Sequence, residues 1–341
     1  MIKRIVAIGV IITSIVLGAV IGYLYWNRNA PPPGKIAIRI RDPESSESSS
    51  GIIIMDGNGN NIQWIGNYVG SPTWSQDGKS IAVGCDQGLC IIDYADINDT
   101  KNYLDPNSRV QKNASVFQIP DQCQSKIEYG KGQFYSGILS VSWSPDGNRI
   151  ALVCGDQDER GSRSVCILSF DNTIDCWKDE VAKDIYRVAW SPVDENLLAI
   201  SGKETKSKIY LTDPEGKNRV FVVDGWSPEW SPSGKKFAYI GYDSNGLKIR
   251  TINEDGTGYK LINFSNIIWD MPIWFEFSTP SISGSTRLSW SPNGRYIVFA
   301  SSYFPGSYHY EFFRLDLQTG NVIRLLDNNL FSYPAEPDWS P

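Results

Sequence analysis

The sequence predicts an all-β fold, a six-bladed β-propeller of four-stranded blades preceded by one transmembrane helix. Three observations lead to this prediction. A turn motif that begins with tryptophan recurs along the chain, a partial copy of the same motif stands at the C-terminal end, and a long uncharged apolar run lies near the N-terminus. Self-similarity at intervals of this length is the mark of a repeat architecture.

The repeated motif reads W-S-P-D-G and is followed by an apolar strand. It occurs as WSQDGKSIAV at 74–83, WSPDGNRIALV at 143–153, WSPVDENLLAI at 190–200, WSPSGKKFAYI at 230–240 and WSPNGRYIVFA at 290–300. Proline presets φ, aspartate accepts hydrogen bonds from backbone amides and glycine adopts positive φ, so the motif predicts a tight turn between two strands. The shortest spacing, 40 residues from Trp190 to Trp230, fits one four-stranded propeller blade of about 40–45 residues.

A sixth blade is predicted from both ends of the chain. DWSP at 338–341 needs a glycine and an apolar strand after it, and GKIAIRI at 34–40 matches GKKFAYI at 234–240. GIIIMD at 51–56 and the strand that follows it then complete the blade. We therefore expect the N-terminal segment to supply three outer strands and the segment before Trp339 the innermost strand, and we do not expect a truncated reading frame. Such a shared blade closes the ring and removes open sheet edges.

These W-S-P-D-G units, with the strands around them, resemble the TolB-type β-propeller, a WD40-like repeat fold, over residues 34–341. The resemblance implies a protein-interaction scaffold in a cell envelope. That family is typically soluble in the periplasm and carries an additional N-terminal domain, whereas here an apolar segment precedes the propeller directly. The partners known for the family are therefore not transferred to this chain, because one fold serves many functions.

The N-terminal region predicts a membrane anchor. Residues 5–26 are uncharged, and as a helix they would be about 33 Å long, against about 30 Å for a hydrocarbon core. The two basic residues within 1–4 predict a cytoplasmic N-terminus. After the proline-rich linker 27–33, the propeller 34–341 would then lie outside the cytoplasm, in the periplasm or at the cell surface. The alternative is a cleaved signal peptide, whose apolar region is usually shorter.

Candidate binding residues lie in long segments predicted on one face of the propeller. The N-terminal segment enters where a first-to-second-strand turn would lie, so the opposite face should point away from the membrane. Segments 120–137, 265–286 and 301–311 are predicted on that opposite face. The proposed partner-binding residues in the last two are Trp269, Trp274, Phe275, Phe277, Tyr303, Phe304, Tyr308, His309 and Tyr310. Aromatic rings are typical binding anchors, and the alternative is that these rings pack over the propeller rim.

Composition disfavours several function classes. A net charge of −6 disfavours nucleic acid as a partner, and a single histidine, His309, cannot build a histidine-rich metal site. A Ser-His-Asp triad would depend on that same histidine, and no G-x-S-x-G elbow is present. We therefore expect no enzyme, no metal and no cofactor, and a protein or cell-envelope ligand as partner. The alternative is a carbohydrate-directed hydrolase or lyase that uses carboxylates or tyrosine in the propeller channel. The six motif tryptophans are expected to pack between blades.

The six cysteines fit an oxidising compartment. Cys85 and Cys90 flank a tight turn, and Cys154 and Cys166 occupy the equivalent strands of the next blade, so each pair is predicted to cross-link its own hairpin. Cys123 and Cys176 would then bond to each other. Pairing between adjacent blades and free buried thiols remain open, because spacing alone does not determine connectivity.

DGNGNN at 56–61 begins like an EF-hand calcium loop, D-x-N-x-N. It lacks the glycine and the glutamate that complete such a loop. We expect a hairpin turn between two strands of the shared blade.

Overall fold

Six sheets, each one blade of a closed propeller and antiparallel except for one short edge strand, make up the part of the chain that this computed structural model describes. The described residues are 32–41, 50–68, 70–85, 88–94, 114–120, 123, 137–155, 163–178, 184–203, 206–243, 246–262, 266–267, 287–302, 310–326 and 336–341. The chain divides into two units, 1–32 and 33–341, and the propeller is the second.

Blades 1 to 3 follow one another along the chain and each contains four strands. Blade 1 contains β4 (Thr73–Trp74), β5 (Ser80–Cys85), β6 (Gly88–Asp93) and β7 (Ser115–Phe117). Blade 2 contains β8 (Ile138–Trp143), β9 (Arg149–Cys154), β10 (Ser164–Ser169) and β11 (Ile174–Trp177). Blade 3 contains β12 (Ile185–Trp190), β13 (Leu198–Lys203), β14 (Ser207–Thr212) and β15 (Val220–Asp224).

Blades 4 to 6 complete the ring. Blade 4 contains β16 (Trp226–Trp230), β17 (Lys236–Asp243), β18 (Gly246–Asn253) and β19 (Lys260–Leu261). Blade 5 contains β21 (Leu288–Trp290), β22 (Tyr296–Ser302), β23 (Tyr310–Asp316) and β24 (Asn321–Leu326). Blade 6 contains β25 (Pro337–Trp339), β1 (Lys35–Arg41), β2 (Ser50–Asp56) and β3 (Gln63–Asn67), in that spatial order.

Blade 5 has one strand that the sequence did not predict. Within the segment 265–286, which the repeat pattern leaves as a loop, β20 (Asn266–Ile267) pairs in parallel with β24 at the outer edge of the sheet. This short strand covers part of the edge that a four-stranded blade would leave unpaired.

Blade 6 confirms that the two ends of the chain share one sheet. Ser340 N donates to Lys35 O at 2.7 Å, and Lys35 N donates to Ser340 Oγ at 2.7 Å. In the continuous turn of blade 1, Ser75 N donates to Ser80 O at 2.8 Å and Ser80 N donates to Ser75 Oγ at 3.0 Å. The two chain segments therefore form the same turn as the other blades, although no covalent link joins them at this turn.

The motif turn has the chemistry that its sequence predicts. In blade 1, Asp77 Oδ1 accepts hydrogen bonds from Ser75 Oγ at 2.7 Å and from Lys79 N at 3.0 Å. Gly78 has φ +67°, and Gly34, its counterpart in the shared blade, has φ +86°. These angles are favourable for glycine because it has no Cβ.

The hydrophobic core consists of separate clusters between neighbouring blades. In the apolar run of β2, Ile53 and Met55 pack with side chains of blade 5, whereas Ile52 and Ile54 pack with side chains of blade 1. Successive side chains of a strand point to opposite faces, and both faces of a blade are covered by its neighbours. For this reason the strand is apolar at consecutive positions.

The membrane anchor predicted at 5–26 lies outside the described residues. In the part of the chain that the structure describes, no helix is long and apolar enough to cross a bilayer.

The contribution of the turn between Ser340 and Lys35 to closure of the ring can be tested by replacing Gly34 with alanine. A residue at left-handed φ costs about 1–2 kcal/mol, and an added Cβ would lie 2.9 Å from both Ser340 O and Trp339 Nε1. Gly147→Ala is the matched control, because it has φ +73° in the equivalent turn of blade 2 and an added Cβ would meet nothing within 4 Å. We expect Gly34→Ala to lower the thermal unfolding midpoint more than Gly147→Ala. Equal decreases, measured by circular dichroism, would contradict the proposed closure.

Candidate functional site

The predicted partner-binding residues Trp269, Trp274, Phe275, Phe277, Tyr303, Phe304, Tyr308 and His309 lie outside the described residues, and so does the side chain of Tyr310, which opens β23. The described strands that flank these segments nevertheless indicate where the segments begin and end. In an antiparallel blade the first-to-second and third-to-fourth connections share one face, and the second-to-third and blade-to-blade connections share the other. We call these the tight-turn face and the loop face. The chain enters 120–137 and 303–309 at the loop face, after β7 and β22. The segment 265–286 leads into the start of β21 at the loop face, but β20 within it pairs with the start of β24, at the tight-turn end of blade 5.

The six motif tryptophans are buried between blades, as predicted. The exposed fractions of Trp74, Trp143, Trp190, Trp230, Trp290 and Trp339 are all between 2% and 5%. Each belongs to one of the apolar clusters at the blade interfaces.

Each motif tryptophan also donates a hydrogen bond to the preceding blade. The acceptor always belongs to the residue directly before the motif tryptophan of that blade. The bonds are Trp143 Nε1 to Thr73 O (3.0 Å), Trp190 N to Ser142 Oγ (2.8 Å), Trp230 Nε1 to Ala189 O (3.1 Å), Trp290 Nε1 to Glu229 O (3.0 Å), Trp339 N to Ser289 Oγ (2.9 Å) and Trp74 N to Asp338 Oδ2 (2.6 Å).

The acceptor depends on the side chain before the tryptophan. A serine or aspartate there accepts the backbone N–H of the next blade, whereas at the other three interfaces the backbone carbonyl accepts the indole N–H. Where the backbone N–H is the donor, the indole of Trp190 donates instead to Glu195 O at 3.2 Å, and that of Trp339 to Pro33 O at 2.8 Å. The residue directly before each motif tryptophan therefore accepts a hydrogen bond from the next blade at all six interfaces. The acceptor is either its side chain or its backbone carbonyl.

Two arginines, Arg187 and Arg287, form three ion pairs that connect blades through the central channel. Arg187 of β12 and Glu336, next to β25, lie 3.0 Å apart, with side chains 4% and 7% exposed. Blades 3 and 6 are opposite each other in a ring of six, so this pair crosses the channel.

Arg287 forms the second connection. Its Nη2 lies 2.8 Å from Asp338 Oδ1 and its Nε lies 3.8 Å from Glu229 Oε2. Its Nη1 donates to Pro72 O at 3.0 Å and to Thr73 Oγ1 at 2.9 Å. One guanidinium thus contacts blades 1, 4 and 6 from its own position beside β21. A planar five-donor group is suited to such multiple contacts.

The channel opens into a cavity of about 290 Å³ at the tight-turn face. All six motif tryptophans line it, together with the turn residues Gln76, Pro192, Pro232, Pro292 and Pro341. Arg287, Glu229 and Asp338 are also in the lining. The lining of the cavity therefore combines tryptophan and proline side chains with the charged cluster of Arg287, Glu229 and Asp338.

Burial shifts the protonation of these charged groups. Desolvation raises the pKa of Glu229 to about 7, although the positive charge of Arg287 opposes this. Desolvation also raises the pKa of Asp338, again against Arg287. Burial alone would lower the pKa of Arg287, but the charges of Asp338 and Glu229 outweigh it and the pKa is raised. One proton shared among the two carboxyls would neutralise the excess negative charge of this group.

Sequence reasoning missed the channel residues Arg187, Glu229, Arg287, Glu336 and Asp338. A usable signal was present. Each lies one or three positions before a motif tryptophan, and side chains at these alternate positions share the strand face that is turned away from the tryptophan. A charged residue at such a position predicts a charged channel.

The turn at 56–61 is a hairpin turn, as expected. Asp56 Oδ1 accepts Asn58 N and Asn60 N, both at 2.9 Å, and Oδ2 accepts Asn61 Nδ2 at 2.8 Å. Amide donors therefore occupy both oxygens of the carboxylate that would have been the first calcium ligand.

The disulfides agree with the prediction in one case and differ in two. Cys85 and Cys90 are bonded, as predicted. Instead of Cys154–Cys166 and Cys123–Cys176, the structure contains Cys123–Cys154 and Cys166–Cys176. Cys166 and Cys176 lie directly opposite each other on β10 and β11, with Cα atoms 4.0 Å apart. The repeat pattern located these cysteines but did not specify which neighbour is the partner.

Comparisons with known proteins support the fold. No family model matches the chain. It is 24% identical to one of the subunits of eukaryotic translation initiation factor 3 from Saccharomyces cerevisiae over 161 residues, which are 40% of this chain and 21% of that protein. It is 26% identical to WD repeat-containing protein 1 of Mus musculus over 166 residues, 45% and 26% of the two chains. It is 25% identical to actin-related protein 2/3 complex subunit 1A of Arabidopsis thaliana over 132 residues, which are 31% of this chain and 33% of that protein. The chain thus spans a third or less of the length of these relatives.

Two solved structures are similar over most of the chain. TolB from Acinetobacter baumannii has a TM-score of 0.62 at 16% identity, with 93% of this chain and 70% of that chain covered. A putative TolB from Agrobacterium tumefaciens has a TM-score of 0.55 at 16% identity, with 91% and 99% covered. The fold is therefore that of a TolB-type six-bladed propeller with WD-like repeats.

The importance of Arg287 can be tested by Arg287→Met. Removing one member of a buried ion pair leaves the other charge uncompensated and costs about 3–5 kcal/mol. Lys79→Met is the control, because Lys79 pairs with Asp77 at 3.2 Å on the surface, where its side chain is 79% exposed. Such surface pairs contribute about 0–1 kcal/mol. Similar decreases in the free energy of unfolding for both variants, measured with denaturant, would contradict a role for Arg287 in connecting blades.

The pKa of Glu229 predicts a pH dependence of stability. Because its folded pKa of about 7 lies above the ordinary 4.5, the folded state binds more protons between these values, and stability from this group falls as pH rises through them. The loss is at most about 3 kcal/mol. Glu229→Gln should remove it, so the stability of the wild type relative to the variant should fall from pH 4.5 to pH 7. A constant or rising difference would contradict the assignment.

Proposed function

We propose that this protein is a membrane-anchored, extracytoplasmic propeller that acts as a binding scaffold for another protein or a cell-envelope ligand. The observation that carries the proposal is the asymmetry between the two faces. The described first-to-second-strand turns are short and bonded to themselves. In contrast, the aromatic segment 301–311 follows β22 at the loop face, and 265–286 leads into the start of β21 there. The one long connection that begins and ends at the tight-turn face among the described strands joins β6 to β7. A rigid scaffold that presents variable segments on one face is the usual arrangement of binding proteins.

The anchor and the orientation are part of the proposal. The uncharged segment 5–26 would hold the protein in the membrane, with residues 1–4 in the cytoplasm and the propeller outside it. Pro33 and Gly34 reach β1 at the tight-turn face, where Pro33 O accepts the indole N–H of Trp339. The loop face would therefore be the membrane-distal face.

The names of two relatives support a role in assemblies. One belongs to a translation initiation factor of several subunits and another belongs to the actin-related protein 2/3 complex. The matched region is a minor part of each. The likeness supports protein binding as the kind of function, and it does not identify a partner.

The charged channel favours binding over catalysis. Glu336 pairs with Arg187, and Glu229 and Asp338 both face Arg287. A general acid or base needs a carboxyl that is free to reach a substrate, whereas these groups are engaged with arginines of other blades. Burial raises the pKa of Tyr186 and of Tyr239 to about 12, which makes either phenol a poor base at neutral pH.

A second candidate function is a carbohydrate-directed hydrolase or lyase. The specific observation in its favour is that Glu229, with its pKa of about 7, lines the cavity together with Asp338. Carboxyls with raised pKa are common at catalytic sites. Loss of a glycan-cleaving activity in Glu229→Gln, with the fold unchanged, would favour this candidate.

Binding at the loop face can be tested by capture with the full-length protein. Cross-linking in source membranes should join it to a partner, and Trp269→Ala with Trp274→Ala should reduce the yield about tenfold or more, as for loss of binding hot spots. The matched control is Phe221→Ala with Tyr259→Ala, which removes two aromatic side chains that are 51% and 54% exposed near the tight-turn face.

Circular dichroism of both double variants is the control for folding and precedes the capture experiment. Undiminished capture by the Trp269/Trp274 variant would contradict binding through these residues. Equal loss in both variants would indicate that the effect is not specific to the loop face.

A further inference from the structure

Four sulfur atoms lie together where blades 1 and 2 meet. Besides the two bonds Cys123–Cys154 and Cys166–Cys176, Cys166 Sγ lies 3.6 Å from Cys154 Sγ and 4.0 Å from Cys123 Sγ. These are van der Waals contacts between sulfurs of different disulfides. A sulfur at contact distance from a foreign disulfide can attack it once it becomes a thiolate.

Blade 1 demonstrates that the alternative bond fits this backbone. In blade 1, Cys85 of β5 lies opposite Gly88, two positions before Cys90 of β6. In blade 2, Cys154 of β9 lies opposite Ser164, two positions before Cys166 of β10. The two cysteines are therefore diagonal neighbours with the same offset. In blade 1 they are Cys85 and Cys90, and they are bonded with Cα atoms 5.9 Å apart. In blade 2 they are Cys154 and Cys166, in contact but each bonded elsewhere.

The four cysteines of this sulfur group differ in access to solvent. Cys123, Cys154 and Cys166 are fully buried at 0% exposure. Cys176 is exposed on β11, the outermost strand of blade 2. A thiol in solution therefore meets the pair of disulfides first at Cys176.

We propose that blade 2 contains a thiol–disulfide exchange site, in which a small thiol takes Cys176 and Cys166 moves to Cys154. The external thiolate attacks Cys176 Sγ and forms a mixed disulfide, while the Cys166–Cys176 bond breaks and Cys166 leaves as a thiolate. Cys166 then attacks Cys154 Sγ, the Cys123–Cys154 bond breaks, and Cys123 leaves as a thiolate that takes a proton from water. Two disulfides are present before and after, so no further oxidant or reductant is needed.

The exchange changes which parts of the fold are cross-linked. Cys123 follows the outermost strand of blade 1. Its bond to Cys154, 31 residues further along the chain, links that segment covalently to blade 2. After exchange the cross-link lies within the β9–β10 hairpin. Exposure to thiol would thus release the covalent tie between blades while blade 2 remains cross-linked.

The first test is disulfide mapping of the full-length protein after exposure to reduced glutathione. The reaction is quenched with acid, free thiols are alkylated in denaturant, and the peptides are analysed by mass spectrometry without reduction. We expect glutathione on Cys176, the alkyl label on Cys123 and a Cys154–Cys166 peptide to appear together. A label on Cys166 with Cys123–Cys154 intact would overturn the proposal, and so would a Cys154–Cys166 bond at full occupancy before any thiol is added.

The second test uses Cys176→Ser, which leaves Cys166 without its partner. We expect most molecules to contain Cys154–Cys166 and a free Cys123. A free Cys166 beside an intact Cys123–Cys154 bond would overturn the proposal. Cys90→Ser is the matched control, because it removes one cysteine from the blade 1 hairpin and should leave the pairing in blade 2 unchanged. If Cys176→Ser does not fold, the glutathione experiment on the wild-type protein decides.

Discussion

The rest of this structure depends on one repeated hydrogen bond. Each motif tryptophan donates it to the residue that stands directly before the motif tryptophan of the preceding blade. This bond joins all six blades at the same level of their innermost strands, and the indole rings fill the space between the blades at that level. Repeat units that cannot bury their faces alone become stable only when their neighbours are in register. The repeated tryptophan is therefore a requirement of the ring.

The last strand of the ring has the most connections. β25 completes the shared sheet, Asp338 accepts the amide of Trp74 and faces Arg287, and Glu336 reaches Arg187 across the channel. Buried ion pairs of this kind often contribute more to specificity than to net stability. Here they join β25, the strand that follows the rest of the propeller in the sequence, to blades 3 and 5.

The sequence predicted the fold well because the motif contains its own structural reasons. Glycine, proline and aspartate specify the turn locally, and GKIAIRI matches the strand that must follow Ser340. The channel was not predicted, because Arg187 and Glu336 are 149 residues apart and meet only once six blades form a ring. β20 was also missed, since two residues are too few to produce a periodic pattern.

The disulfides mark the limit of reasoning from repeats. Equivalence between blades placed Cys154 and Cys166 correctly on adjacent strands and within contact distance. It did not reveal that each has a second neighbour, Cys176 across the β10–β11 pair and Cys123 from the segment after blade 1. The predicted aromatic residues at 269–277 and 303–309 lie outside the described residues, so binding at the loop face remains a prediction.

The most direct test of the central claim is native-state hydrogen exchange at the backbone amides of Trp74, Trp190 and Trp339. Each of these amides donates to a side chain of the neighbouring blade. If these contacts hold the ring, the three amides exchange only through global unfolding, with the same free energy and the same dependence on denaturant. Exchange of the Trp339 amide through a local opening of much lower free energy would contradict the account, because β25 could then leave the ring while the other blades stay folded.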